Sequence, residues 1–346
     1  MTPNQDQPNQ ADWQRLYQAT EIYRQLAPWE WMDDDHIFGV ECQEAGEIYY
    51  CGVLGGLGEV FALVAYEGRE GLDGYLKLLS GEIEEGPLVT ECQRALMASF
   101  ENRSDLDPRD REVIGAMGRK YRGSHAWPVF RHYLPGYFPW FLTASQARTL
   151  AACLEQAVAV LPRHAFNRKL LGDPTAGHHL VRVCKISAGR EEWHDEILPS
   201  PSPQKASPTV PVNEVGIARL HRQTKRRAGD WKIGYCYAPM PVQEHPDQRP
   251  YFLRLLGIVD AESGFVLSIQ LEAPDKHLPV FRDLILSCLE EASQWPKRLL
   301  VNHDDAAALA APIAAGLGLS LKRVRDLPGF AAAFDGMIAT MRRKKR

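Results

Sequence analysis

Three carboxylates in the last third of the chain, Asp260, Asp304 and Asp335, are the residues that could support metal-dependent phosphodiester chemistry. That chemistry needs acids converging on two divalent ions ~3.5–4 Å apart, so that attacking and leaving oxygens are both stabilised. Local sequence gives two of the three a structural task as well. Asp260 heads Asp260-Ala261-Glu262-Ser263-Gly264, where an Asp closes a turn by accepting from its own backbone. Asp304 and Asp305 stand where an N-cap pair opens a helix, favoured by its positive end. The structural roles are the expectation, and a divergent metal-dependent nuclease using Asp260, Asp304 and Asp335 is the alternative.

Other candidates carry weaker chemistry. Gly52 and Gly55-Gly56-Leu57-Gly58 resemble a phosphate cradle in composition, but the segment after them, residues 60–66, reads as a strand. Without a helix N-terminus behind it such a loop lacks its dipole, so a hairpin turn is expected. Residues 121–142 interleave Tyr121, Trp127, Phe130, Tyr133, Tyr137, Phe138, Trp140 and Phe141 with Arg122, Arg131 and several prolines. Aromatics among cations suit single-stranded nucleic acid. The plainer reading is an ordered loop wrapped on the core, with Trp127, Tyr137 and Trp140 as a partner surface if they are exposed. His178, His179 and His194 lack the spacing and carboxylate support of a metal site. Two basic clusters, one containing Lys225, Arg226 and Arg227 and one Arg342, Arg343, Lys344 and Lys345, would form a polyanion patch only if they share a face. Otherwise they answer helix dipoles as solvated ends.

Bulk properties narrow the classes. The 346 residues exceed one ordinary core and fit two domains. A net charge of −4 exerts no global pull toward nucleic acid, and 45% hydrophobic residues suffice for packed cores. Seven scattered cysteines without a C-x-x-C pair argue against a disulfide framework and a structural zinc site, so no cofactor or metal is expected. The polar first eleven residues are no signal peptide, and no apolar run reaches the ~20 residues of a membrane span. The default location is a reducing cytoplasm.

These residues must be positioned by two sets of elements. In the first, a helix over residues 12–26 precedes three short strands over 36–42, 47–54 and 60–66, which form an antiparallel meander. Helices are expected over 71–79, 88–100 and 108–117. Thr143-Ala144-Ser145-Gln146 is a capping box, and a hairpin over 180–186 and 191–197 closes the domain. Residues 199–211 hold five prolines among serines and form the linker. In the second set, strands over 231–237, 251–259 and 265–272 precede a helix over 279–292. A strand over 298–301, an alanine-rich helix from Asp305 that Pro312 should kink, a strand over 319–324 and a helix from Gly329 follow.

That order, βββαβαβα, resembles the ribonuclease-H-like fold of nucleases and of transposase and integrase catalytic domains. The resemblance implies a mixed five-stranded sheet and acids on the first strand, after the fourth strand and on the last helix. Integrases often read Trp-x-x-Asp on the first strand; Trp231-Lys232-Ile233-Gly234 puts glycine there. They usually end the fourth strand in Asp-Asn-Gly; Val301-Asn302-His303-Asp304 puts Asn302 at the Asp. An amide cannot supply the charge that two divalent ions demand.

A second resemblance covers most of the chain outside the linker. Pro28-Trp29-Glu30-Trp31-Met32, Ile37-Phe38-Gly39-Val40, Gly58-Glu59-Val60-Phe61-Ala62-Leu63 and residues 119–140 are similar to a domain of unknown function. Arg249-Pro250, Val259-Asp260-Ala261-Glu262-Ser263-Gly264 and Asp326-Leu327-Pro328 resemble another that follows it. The likeness implies a two-domain bacterial protein without an assigned activity. The expected organisation is an α+β domain over 12–198, a linker over 199–212, an α/β domain of ribonuclease-H-like topology over 213–342 and a basic tail over 343–346. The expected function is non-catalytic binding, with nucleic acid or a protein as the partner.

Overall fold

Asn9 begins the first helix, α1 (Gln10–Leu26): its side chain accepts from the Ala11 and Asp12 amides, while the Asp12 carboxylate takes the Asn9 amide. The helix stops at Ala27, in the left-handed region, and Pro28 cannot continue it. The computed structural model describes residues 6–33, 35–42, 44–82, 92–173, 177–187, 190–201, 210, 213–223, 225–324, 327 and 330. The chain divides into two compact units, Met1–Pro203 and Gln204–Arg346.

In the first unit, β1 (Ile37–Cys42), β2 (Glu47–Leu54) and β3 (Ala62–Glu67) form the antiparallel meander. Helix α2 (Gly68–Leu79) follows. Residues 95–100, expected to be helical, instead form β4 (Ala95–Glu101), while 88–91 lie outside the described residues. Ala-Leu-Met-Ala favours a helix locally, but this run is buried on both faces between β3 and β5 (Trp127–Tyr133). A short apolar run with two buried faces is better served by a central strand. Helix α3 (Pro108–Ala116) lies between β4 and β5 in sequence. Thr143 caps α4 (Ala144–Phe166), accepting from the Gln146 amide while Gln146 accepts from the Thr143 amide.

After α4 come β6 (Gly172–Asp173), β7 (His178–Ser187) and β8 (Arg190–Pro199). The eight-stranded sheet has the order β5-β4-β3-β2-β1-β7-β6, with β8 paired to β7 and β1 parallel to β7. Its mixed character follows from α4, a crossover long enough to return the chain in the same direction. Helices α1 and α4 bury Leu16, Tyr17, Tyr23, Leu150, Leu154 and Leu161 with the inner residues of one sheet face. On the opposite face Tyr50, Val64 and Tyr66 pack with Leu72 and Tyr75 of α2.

The second unit runs α5 (Glu214–His221), β9 (Asp230–Val242), β10 (Tyr251–Asp260), β11 (Val266–Glu272), α6 (His277–Glu291), β12 (Arg298–Val301), α7 (Asp304–Leu317) and β13 (Ser320–Arg323). Its five strands are ordered β11-β10-β9-β12-β13. β9, β10 and β11 are antiparallel neighbours, and β12 is parallel to both β9 and β13. Alternation decides the faces. Trp231, Ile233, Tyr235, Leu256 and Ile258 pack with Phe281, Ile285, Leu289 and Ile313 of the helices. Leu255 and Val259 face the other way and meet Leu327 and Phe330. Helix α7 runs through Pro312 without restarting.

All seven cysteines are free. Among the described residues no helix is long and apolar enough to cross a membrane.

Candidate functional site

Gly234 and Gly257 sit opposite one another on β9 and β10. Both turn their missing side chains toward the Phe330 ring: a Cβ at Gly234 would run into that ring, and one at Gly257 would come within 2.6 Å of it. Phe330 is itself 6% exposed, among Leu255, Val259, Leu300 and Val324. The position where a carboxylate would be sought thus has its space taken by an aromatic ring.

Asn302 has a different task. Its side-chain oxygen accepts from the Tyr235 amide at 2.9 Å, and its nitrogen donates to the Tyr235 carbonyl at 3.2 Å. β12 pairs with β9 only as far as Val301 and Ile233, so the amide continues that ladder after the strand has ended. A carboxylate could accept but could not donate.

Asp260 and Asp304 lie apart. Asp260 accepts from the Glu262 amide, the Ser263 amide at 2.8 Å and the Ser263 hydroxyl at 2.7 Å. These bonds, the Ser263 hydroxyl first, hold its carboxyl below the usual range. It lies level with Trp231, near the start of β12, whereas Asp304 follows the other end of β12 and pairs with Arg323. Asp335 lies outside the described residues.

Two members of the first basic cluster, Lys225 and Arg227, are spent on helix ends. Lys225 donates from Nζ to the carbonyls of Leu289, Glu290 and Ala292 at 3.1, 2.6 and 2.8 Å, closing α6. Arg227 donates to the Leu317 and Gly318 carbonyls at 2.7 and 2.6 Å, closing α7. Cations at these positions satisfy orphan carbonyls and the negative end of the dipole. Arg226 is exposed. Arg342, Arg343, Lys344 and Lys345 lie outside the described residues.

Residues 121–142 do not form one loop, because β5 runs through them as an edge strand. Trp127, Tyr137 and Trp140 are each half-buried. Arg103 lies 5.8 Å from the Trp127 ring and Arg109 5.6 Å from the Trp140 ring, so cations cover part of the aromatic surface. The histidine trio is also separated: His194 pairs with Val183 and His178 with Pro199.

Tyr121 and His125 instead line a groove of about 460 Å³ with Glu21, Arg24, Trp29 and Phe61. Glu21 accepts from the Tyr121 hydroxyl at 2.8 Å and pairs with Arg119, which fixes that wall. Trp29 and Phe61 stand 5.4 Å apart, and the His125 ring meets Phe61 edge-on at 5.1 Å. His125 has φ +48°, a left-handed backbone held by Asn102, whose Oδ1 accepts from the Ser124 hydroxyl and the His125 amide. Sequence reasoning missed the convergence of Tyr121 and His125 with the end of α1. The spacing of 104 residues between Glu21 and His125 carries no local signal for it.

Sequence reasoning also missed a polar cluster where β9 and β12 lead into α7. The Tyr235 ring stacks on His303 at 4.5 Å and lies 6.2 Å from His277. His303 caps α7, accepting from the Asp305 amide at Nδ1. Burial, then Asp305, pushes the Tyr235 hydroxyl well above its ordinary range.

The molecule is thus a tandem of two mixed α/β units. Residues 13–182 match the family model of a domain of unknown function (DUF7309), and residues 216–338 match that of a second domain of unknown function (DUF6930). No curated protein and no solved structure matches the chain significantly.

Proposed function

We propose that this is a binding protein without hydrolytic chemistry, whose second unit is a ribonuclease-H-like scaffold with a filled metal cradle. The observation that carries this reading is the Phe330 ring over Gly234, where both a carboxylate and an ion would need room. The sheet order β11-β10-β9-β12-β13, with β12 parallel to β9, supports the topology. The Asn302 clasp supports a structural use of the second acid position.

The binding half rests on the first unit. A groove of about 460 Å³ falls within the ~300–1,000 Å³ of small-molecule sites, and its walls combine Trp29, Phe61 and Tyr121 with the charged or polar Glu21, Arg24, Glu30 and His125. Arg24 and His125 would orient a small ligand against the wall that Trp29 and Phe61 form together. A nucleic-acid role is less favoured, because Lys225 and Arg227 already serve α6 and α7. The half-buried Trp127, Tyr137 and Trp140 leave an adaptor role with a smaller apolar surface than full exposure would give.

Two measurements test the reading. Purified protein with magnesium or manganese should leave single-stranded, duplex and hybrid substrates intact; cleavage that Asp260→Asn or Asp304→Asn abolishes would refute it. In a small-molecule thermal-shift screen, stabilising ligands should lose their effect in Trp29→Ala and His125→Gly. Stabilisation untouched by both changes would move the binding site elsewhere.

A further inference from the structure

The turn leading into β1 gathers ligand-type atoms at the surface of the first unit. Asp33, Asp35 and His36 each offer one atom, and these lie within 4.8 Å of one another. Behind them lies His164, in the last turn of α4. It is 0% exposed, and both of its ring nitrogens lack a hydrogen-bond partner among the described residues. A buried imidazole is ordinarily satisfied on at least one side, so two stranded nitrogens ask for an explanation.

His164 lies against His36, with ring centroids 5.0 Å apart and planes inclined at 52°. Two imidazoles on one tetrahedral ion, at a metal–nitrogen distance of ~2.0–2.1 Å, have centroids about 5 Å apart. His36 Nδ1 is also without a hydrogen bond, although Asp35 Oδ1 is 2.7 Å away: the two approach without the required alignment. The turn is anchored to the chain beyond α4, because Arg168 donates twice to the Trp31 carbonyl at 3.1 Å. Asp33 and Asp35 are exposed, so an ion can enter from solvent and meet the buried imidazole last. Tetrahedral ligand atoms stand about 3.4 Å apart, so the two exposed carboxylates and the two imidazoles draw together when an ion binds.

We propose that Asp33, Asp35, His36 and His164 bind one divalent transition-metal ion of the zinc class, which ties the start of β1 to the end of α4. Two imidazoles select zinc, cobalt or nickel over magnesium and calcium, which take oxygen ligands. Two carboxylates balance the dication. The ion is structural in this arrangement, independent of the groove and of the second unit.

The test uses the full chain, stripped with a chelator and titrated with zinc or cobalt. One ion per chain should bind, and cobalt should give the visible absorption of a tetrahedral site. Asp33→Asn with Asp35→Asn should weaken binding by more than the ~10–100-fold that loss of an outer-shell partner costs, with the metal-free melting temperature unchanged. His164→Phe removes both ring nitrogens and should abolish the cobalt spectrum. If that variant does not fold, the two surface changes decide the matter alone. No stoichiometric uptake, uptake indifferent to the carboxylate changes, or equal competition by magnesium would each overturn the proposal.

Discussion

The side chain of Asn302 exchanges two hydrogen bonds with the backbone of Tyr235, donating to its carbonyl and accepting from its amide. A side-chain amide here does what one more residue of parallel strand would do. The requirement for a donor and an acceptor in one group explains asparagine at this place without reference to catalysis.

Asn302→Asp should therefore destabilise the second unit. Losing the donor strands the Tyr235 carbonyl opposite a carboxylate oxygen, a cost of about 1–3 kcal/mol. Urea unfolding followed by the Trp231 and Trp295 fluorescence of this unit measures it. A midpoint equal to that of the wild type would show that the ladder extension contributes nothing.

Gly234→Asp should cost more than about 2 kcal/mol, because overpacking adds to the burial of a charge. Phe330→Ala should cost about 3–5 kcal/mol through the cavity it leaves. The double variant should lose less than the two losses added together, since removing the ring makes room for the acid. Additive losses would mean that the ring and the glycine do not share one space.

Lys225→Met removes three charge-assisted bonds from the end of α6 and should lower stability by about 1.5–3 kcal/mol. A nucleic-acid role for this side chain predicts instead a weaker gel shift with a shallower salt dependence and an unchanged unfolding midpoint.

His277 is held below its ordinary value of about 6.5, chiefly by burial and further by the Arg254 charge, against the Pro274 carbonyl that accepts from Nδ1 at 2.7 Å. Below that pH the unfolded chain binds a proton that the folded unit resists. Stability should then fall as pH drops from about 7 toward 5, by at most about 1.4 kcal/mol per pH unit for this group. His277→Asn can reproduce the Nδ1 donor without titrating and should flatten the second unit's profile in that window. An equally steep profile in the variant would assign the effect to other groups.

His125→Gly should leave the unfolding midpoint unchanged or raised, since glycine adopts a φ of +48° without strain. A fall in the midpoint would mean that the ring contact with Phe61 outweighs the backbone strain.

How much the sequence disclosed depended on how local the determinants were. Two local devices were legible because their partners lie within four residues, Thr143 with Gln146 and Asp260 with Ser263. The amphipathic spacing of Phe281, Ile285 and Leu289 announced α6 for the same reason. The α7 cap, by contrast, was misassigned: His303 caps the helix, and Asp304 and Asp305, expected as the N-cap pair, lie in its first turn. β4 was misread because Ala95–Phe100 carries no period that separates a central strand from a buried helix, and only β3 and β5 on either side decide it. Gly234 and Asn302 were identified as lacking charge, yet what replaces the charge came from 96 residues downstream in one case and from a backbone 67 residues upstream in the other. The groove and the His36–His164 pair are of the same long-range kind, assembled by a sheet that brings distant segments together.

The distance along the chain between Gly234 and Phe330 has a consequence for synthesis. On the ribosome β9 and β10 can pair long before the segment that shields them has been made. Until residue 330 emerges, Leu255 and Val259 present a greasy, notched surface to whatever is nearby. Chaperone engagement with this protein should therefore be strongest on nascent chains from which β10 has emerged and that phenylalanine has not.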